Sequence, residues 1–416
     1  MLGPFKDLPR EVAVLAAVAV SVAVGFGVVA PAIPEFASSF GVGKTAAGAV
    51  ISAFALMRFA SALGGGRLVD AFGERVILAI GIGIVAVSTG LAGLSQSYLQ
   101  LLILRGAGGI GSAMFTIAAT ALLFRVVGSS NRGRATGLFQ SGFLIGGLLG
   151  PLAGGFLTDY SLRLPFYVYA LSLIVAGGIG VVFLSSARLR PSGEQVERET
   201  SDEPATRLRT ALAHPGFQAA LVVNFAIGWT LFGVRMSLIP LFITEAMGQR
   251  PLWIGVSFLC ASIGQVGLLF VTGKLADSRG RRPSMIIGSL VATVALVGMA
   301  LTTSLPLFLA AMTGLGVAGA FIGTSTGAVV GDLMHGRGGK VVAVFQMSRD
   351  LGTITGPVVA GWLADSLSFD AAFVACAIVL VGATAMAVRM PETLQREPRS
   401  DLGSAQVGEG ESNELG

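Results

Sequence analysis

Twelve stretches of this chain are apolar over about 20 residues or more, the length a helix needs to cross a bilayer. They lie near 12–34, 45–66, 76–95, 98–124, 135–158, 164–185, 216–243, 252–274, 284–303, 305–331, 341–364 and 370–389. Composition closes the alternatives. Hydrophobic residues make up 53% and charged residues 12%, against roughly 25% charged in a soluble protein, so the chain has too little charge to cover a soluble surface. Its 59 glycines follow no Gly-X-Y period, which excludes collagen. The first run continues through Pro31 and Pro34 into further membrane sequence, unlike a signal peptide. The expected fold is all-α: a polytopic membrane protein of 12 transmembrane helices in two pseudo-symmetric six-helix bundles.

Basic residues set the orientation of such chains. Of 28 Lys and Arg, 21 fall in the termini and the even-numbered connections, and only Lys44, Arg163 and Arg250 in the opposite ones. Arg58, Arg105, Arg235 and Arg349 fall within spans. This bias predicts a multi-pass protein of the inner (plasma) membrane with both termini cytoplasmic. It also accounts for the basic balance through topology and contact with anionic lipid, so no nucleic-acid partner is expected. Cys260 and Cys376 sit in apolar runs as packing residues, and His214 and His335 stand near charged loops. No Cys/His cluster offers a metal site, and no cofactor is expected.

The two halves repeat each other. Phe26-Gly27-Val28 with Ile33-Pro34 and Phe36 recurs as Phe232-Gly233-Val234 with Ile239-Pro240 and Phe242. Gly66, Asp70, Gly73 and Arg75 recur as Gly273, Asp277, Gly280 and Arg282; Phe139-Gln140, Gly146 and Gly150-Pro151 recur as Phe345-Gln346, Gly352 and Gly356-Pro357. Six spans per copy preserves orientation, as in parallel-repeat transporters, whose substrate sites lie near the midplane between repeats. The expected division is an N-terminal bundle over 1–185, a cytoplasmic linker over 186–215, a C-terminal bundle over 216–390 and a disordered cytoplasmic tail over 391–416.

Two strings, Gly106 to Gly111 and Gly314 to Gly319, spell GxGxxG. A dinucleotide fingerprint needs a preceding strand and a following acid; these strings lie inside spans. Small-residue helix packing is the expected role, including for Gly319, Gly323, Gly327 and Gly331 at four-residue spacing.

Other strings carry a resemblance over residues 12–390. Gly273-Lys-Leu-Ala-Asp277-Ser-Arg-Gly280-Arg281-Arg282 resembles the cytoplasmic loop signature of the major facilitator superfamily; Gly66 to Arg75 is a second copy, with Ala71 and Glu74 in place of basic residues. Arg105 with Gly109, Gly111 and Ala113 resembles the family's helix 4 motif, with Gly108 replacing its Gln. Gly137, Gly146, Gly150, Pro151, Gly154 and Gly155 fit every fixed position of the helix 5 motif of its drug–proton antiporters. The resemblance implies a gating role for the two G-D-G loops and a link between Arg105 and proton movement.

Ionisable residues within spans cost about 2.5–3.5 kcal/mol each and mark function by default. Arg58, Arg105, Arg235, Arg349 and Asp350 qualify; Glu35 and Asp332 lie nearer span ends. Asp350 is the one acid deep in a span, about 15 Å into helix 11 at 1.5 Å per residue. Gln346, Asp350 and Thr353 share one stripe of that helix. Arg349 is adjacent to Asp350, but neighbours on a helix do not face each other, so Arg349 needs another partner. Asp350 is the expected proton carrier, and Arg105, Asp350, Arg235, Arg58, Arg349, Gln346 and Glu35 form the expected proton and substrate pathway. Four arginines against one deep acid suit a neutral or anionic amphiphile as substrate.

The chain contains no P-loop and no nucleophile–base–acid set, so no enzymatic activity is expected. The expected function is a secondary active transporter that exports small molecules by proton antiport through alternating access, acting as a monomer in the lipid bilayer. Two alternatives stand beside it: a proton symporter or uniporter importing a small metabolite, and a non-transporting membrane receptor on the same fold.

Overall fold

The computed structural model describes residues 9–127, 132–184, 208–333 and 339–394, all helices and short connections. Residues 395–416 of the tail, residues 186–207 of the linker and His335 lie outside the described residues.

The N-terminal half is built from α1 (Arg10–Val29), α2 (Ala32–Ser38), α3 (Lys44–Phe72), α4 (Glu74–Gly93), α5 (Tyr98–Val126), α6 (Arg132–Tyr160) and α7 (Leu164–Phe183). The C-terminal half follows with α8 (Leu208–Ala213), α9 (Pro215–Ile227), α10 (Arg235–Leu241), α11 (Leu252–Arg279), α12 (Arg281–Ala300), α13 (Leu305–Leu333), α14 (Gly339–Ser366) and α15 (Phe369–Arg389). Segment α8 lies in the stretch expected as linker. Among the described residues, eleven helices or joined helices are long and apolar enough to span. The twelfth span is α14, 28 residues long, whose Lys340, Arg349, Asp350 and Asp365 dilute its hydropathy.

Proline and glycine explain the breaks. Pro31 separates α1 from α2, because a ring nitrogen cannot continue the ladder of helix hydrogen bonds. The repeat-related span 7 instead winds through two π-helical segments, Gly228–Val234 and Phe242–Ala246, on either side of α10 and its Pro240. Helices α3 and α4 meet at Gly73 (φ 80°), and α11 and α12 at Gly280 (φ 120°). A positive φ of this kind favours glycine, which is why each loop signature carries one there.

Two hydrophobic cores form. One gathers buried side chains from Val12 to Leu184, the other from Ala211 to Met390. They trade only Ala30 and Leu241, so each bundle is close to a self-contained body. Both chain ends of the helical array, and the α3–α4 and α11–α12 connections, lie on what we call the terminal face. The α2–α3, α4–α5, α6–α7, α12–α13 and α14–α15 connections lie on the far face.

Candidate functional site: the interface between the bundles

Two helix pairs carry the interface. In the first, α6 meets α11, and glycines let the backbones touch: a Cβ on Gly155 would fall 2.7 Å from the Gly255 nitrogen. Ser262 donates to the Gly147 carbonyl at 2.9 Å. In the second, α14 meets α3, where a Cβ on Gly361 would fall 2.6 Å from the Lys44 carbonyl oxygen. The helix 5 motif thus has two faces. Gly146, Gly150 and Gly154 seat α6 on Ala23 to Val28 of α1, within the bundle, while Gly155 and Pro151 face Gly255 across the interface. Gly137 has open space around its Cβ position. In α14, Gly352 and Gly356 pack on Phe225 to Trp229, and Pro357 and Gly361 face α3.

Near the midplane, among the described residues, the interface holds one ion pair. An Arg58 Nη2 proton reaches Asp350 Oδ1 at 2.7 Å, with the two side chains 33% and 17% exposed. The partner of Asp350 thus stands on the other bundle. Arg349 turns to the Phe232 ring, 5.4 Å from its centroid. Thr353 donates to the Gly228 and Arg349 carbonyls, which ties α14 to the first π-helical segment. Gln346 is exposed.

Arg105 is 2% exposed and lies 4.6 Å over the Phe54 ring. Its Nε and Nη1 have no protein acceptor, and neither has Nε of Arg235, whose guanidinium lies 5.6 Å from the Phe258 ring. The hydroxyls of Ser52 and Thr89 are likewise buried without a partner. Among the described residues, Arg58 is the one membrane arginine within 4 Å of a carboxylate. The other three rest on aromatic faces, a cation–π arrangement.

Toward the far face the polar contacts multiply. Thr244 Oγ1 donates to Glu35 Oε1 at 2.6 Å, from the second π-helical segment to α2. Lys44 lies 3.0 Å from Glu245 and 3.9 Å from Asp365. Arg250 pairs with Asp159 at the end of α6. The three basic residues that topology counting sets apart are all built into this face, since Arg163 bonds the Ser95 carbonyl at 3.2 Å and lies over Phe36. Every inter-bundle hydrogen bond and ion pair among the described residues falls between the far face and the level of Arg58–Asp350 and Gly147–Ser262. This conformer is closed at the far face.

The loop signatures occupy the other end and make contacts within their own bundles. Arg281 reaches Asp277 at 2.5 Å and Asp332 at 3.1 Å. Arg282 donates to the Val388 carbonyl at 2.6 Å. Glu74, the departure from the family pattern, pairs with Arg125 at 2.6 Å, and Arg75 bonds the Val181 carbonyl. A Cβ at Gly73 or Gly273 would meet nothing within 4 Å. The surroundings of Gly66 and of the Asp70 side chain lie outside the described residues.

The glycine strings divide. Gly109 and Gly111 pack closely on α3 and α4 as small-residue contacts, and no strand precedes either GxGxxG string. The reading of Gly319 to Gly331 as one packing face needs correction. Gly319 meets Leu231 and Gln265, but a Cβ at Gly323, Gly327 or Gly331 would meet nothing within 4 Å, so among the described residues no neighbouring helix packs on that stretch.

Sequence comparison agrees with this architecture. The profile of the Major Facilitator Superfamily matches residues 15–267 and 221–409. The multidrug resistance protein MdtG of Dickeya zeae is 30% identical over 325 residues, 76% of this chain and 77% of that protein. The synaptic vesicular amine transporter of Mus musculus is 27% identical over 312 residues; the match covers 73% of this chain but only 58% of that longer protein. The fold is similar to that of a bacterial homolog of the human lysosomal transporter Spinster, solved in an inward-facing, unoccupied conformation (TM-score 0.74, 17% identity, 92% of this chain and 96% of that one). With twelve spans in two repeated bundles and a profile match along nearly its whole length, the chain belongs to the major facilitator superfamily and is a membrane transporter, not an enzyme.

Proposed function

We propose that this protein exports small molecules across the inner membrane in exchange for protons, as a monomer, with the terminal face in the cytoplasm. The observation that carries the reading is the Arg58–Asp350 pair, one charge on each bundle at the midplane. A carboxylate that loses its cationic partner in a low-dielectric site is strongly destabilised. When the bundles part at the far face, α14 leaves α3, and Asp350 must take up a proton to stay in place. When they close again, Arg58 reclaims Asp350 and the proton leaves toward the cytoplasm. One proton moved down the membrane potential supplies about 2.3 kcal/mol per 100 mV, enough to drive uphill export.

The residues fall into roles under this scheme. Asp350 carries the proton and Arg58 displaces it. Arg105, buried with free donors, holds positive charge beside the path. Arg235 and Arg349 favour a neutral or anionic amphiphile, because the deep carboxylate of Asp350 is already paired with Arg58 and Glu35 is engaged by Thr244. Asp70 and Asp277, with their glycines and Arg75, Arg281 and Arg282, serve the terminal-face gate. The helix 5 motif that this chain carries in full favours antiport over symport.

The test is flux in proteoliposomes under an imposed pH gradient, screened across cationic, neutral and anionic compounds. We expect gradient-driven transport of neutral or anionic compounds. Asp350→Asn should lose the gradient dependence and keep passive exchange. Full proton dependence in that variant would remove Asp350 from the scheme.

A further inference from the structure

The first turn of α3 is capped by a residue from the other bundle. A helix N-terminus leaves four N–H groups without partners, and a side chain next to it in sequence usually accepts one or two. Ser97 does so for α5 and Ser368 for α15. Helix α3 has no such cap: it follows Gly43, has no acid in its first turn and begins with Lys44 and Thr45. Its donors go instead to Asp365, at the end of α14. The Lys44 N–H donates to Asp365 Oδ1 at 2.9 Å, and the Thr45 N–H and hydroxyl donate to Oδ2 at 2.8 and 2.7 Å. Glycine at 43 leaves room for the same contact, since a Cβ there would fall 2.8 Å from Oδ2. The close approach of Gly361 to Lys44 fixes the two helix ends against each other.

We infer that Asp365 is a positioning residue of the far-face gate, a latch that caps α3 only while that face is shut. Charge-assisted bonds to backbone N–H groups are among the stronger hydrogen bonds, and a negative charge at a helix N-terminus gains from the helix dipole. Opening the far face strips both from α3 at once. The contact therefore biases the protein toward the closed far face and sets the ease of opening. Lys44, held by Glu245 and Asp365 together, reinforces it. The inference rests on alternating access, and is independent of proton coupling and of substrate class.

The test uses the full chain in lipid nanodiscs without substrate. Spin labels replace Gln96 and Thr303, exposed far-face residues of the two bundles, with Cys260 and Cys376 changed to alanine in every sample. The unaltered gate should give a short inter-label distance. Asp365→Ala should raise the long-to-short population ratio at least tenfold, about 1.4 kcal/mol, and Asp365→Asn, which keeps one acceptor, should raise it less. Adding Gly43→Asp to Asp365→Ala gives α3 a cap of its own, and the distances should stay long because that cap no longer depends on closure. Return of this double variant to the short distance would make Asp365 a plain helix stabiliser and overturn the latch. A ratio within twofold of the unaltered gate in Asp365→Ala, or a long distance before any substitution at 365, would overturn it too.

Discussion

The two faces of the molecule use the same device for opposite ends. At the far face, the carboxylate of Asp365 takes the first two N–H groups of α3, which follows a glycine. At the terminal face, the carboxylate of Glu392 takes those of α12, Arg281 N–H at 2.8 Å and Arg282 N–H at 3.1 Å, also after a glycine. The chemistry is alike and the partners differ. Asp365 reaches across the bundles; Glu392 stays within one, alongside Asp277, Asp332 and Thr393. Among the described residues, the terminal-face ion pairs therefore stiffen each bundle as a body, while the far-face ion pairs clamp the two bodies together. The difference shows how a chain with 12% charged residues can be rigid within each half and still able to move between halves.

Substitutions can separate these roles. The largest effect is expected from Gly155→Leu, which forces a side chain between α6 and α11 where the backbones touch. Overpacking costs about 1–3 kcal/mol; falling entirely on the closed far face, it should lower flux about 10- to 100-fold while membrane insertion and thermal stability of the bundles persist. Gly327→Leu should change flux less than about twofold, as a Cβ there would meet nothing within 4 Å. Equal losses in the two variants, measured in the same vesicles, would remove the distinction between the faces.

A smaller effect than that of Gly155→Leu is expected from Asp277→Asn. Asp277 is 74% exposed and Arg281 keeps Asp332, and exposed pairs contribute about 0.2–1 kcal/mol. Conformational exchange should slow by less than about fivefold, with insertion intact, as read by the interconversion rate of a far-face fluorophore. An unchanged rate would leave the terminal-face loops with a purely structural role.

Much of this was legible in the sequence, and what was not has a common cause. Span count, repeat and glycine-hinged loops follow from local pattern, and Asp350 stood out because no other acid lies so deep. Its partner did not, because Arg58 lies 292 positions away on the other bundle. The far-face latch was hidden for the same reason, Asp365 being 321 positions from Lys44. A trace existed: α3 starts without a local cap, and Lys44 and Arg250 are among the few basic residues set apart from the topology-setting majority. The Gly319 to Gly331 stripe misled because a four-residue spacing gives the direction of a face and nothing about what lies opposite.

The central claim is exchange of substrate against protons, and the sign of a pH change tests it most directly. Proteoliposomes would be loaded with an aromatic sulfonate, whose charge does not titrate, and a lumenal pH dye. They would then be diluted into sulfonate-free buffer with the membrane potential clamped. Antiport predicts that the lumen acidifies as the compound leaves, and that Asp350→Asn abolishes the change. A lumen that turns alkaline as the compound leaves, or efflux with no pH change at all, would contradict the account.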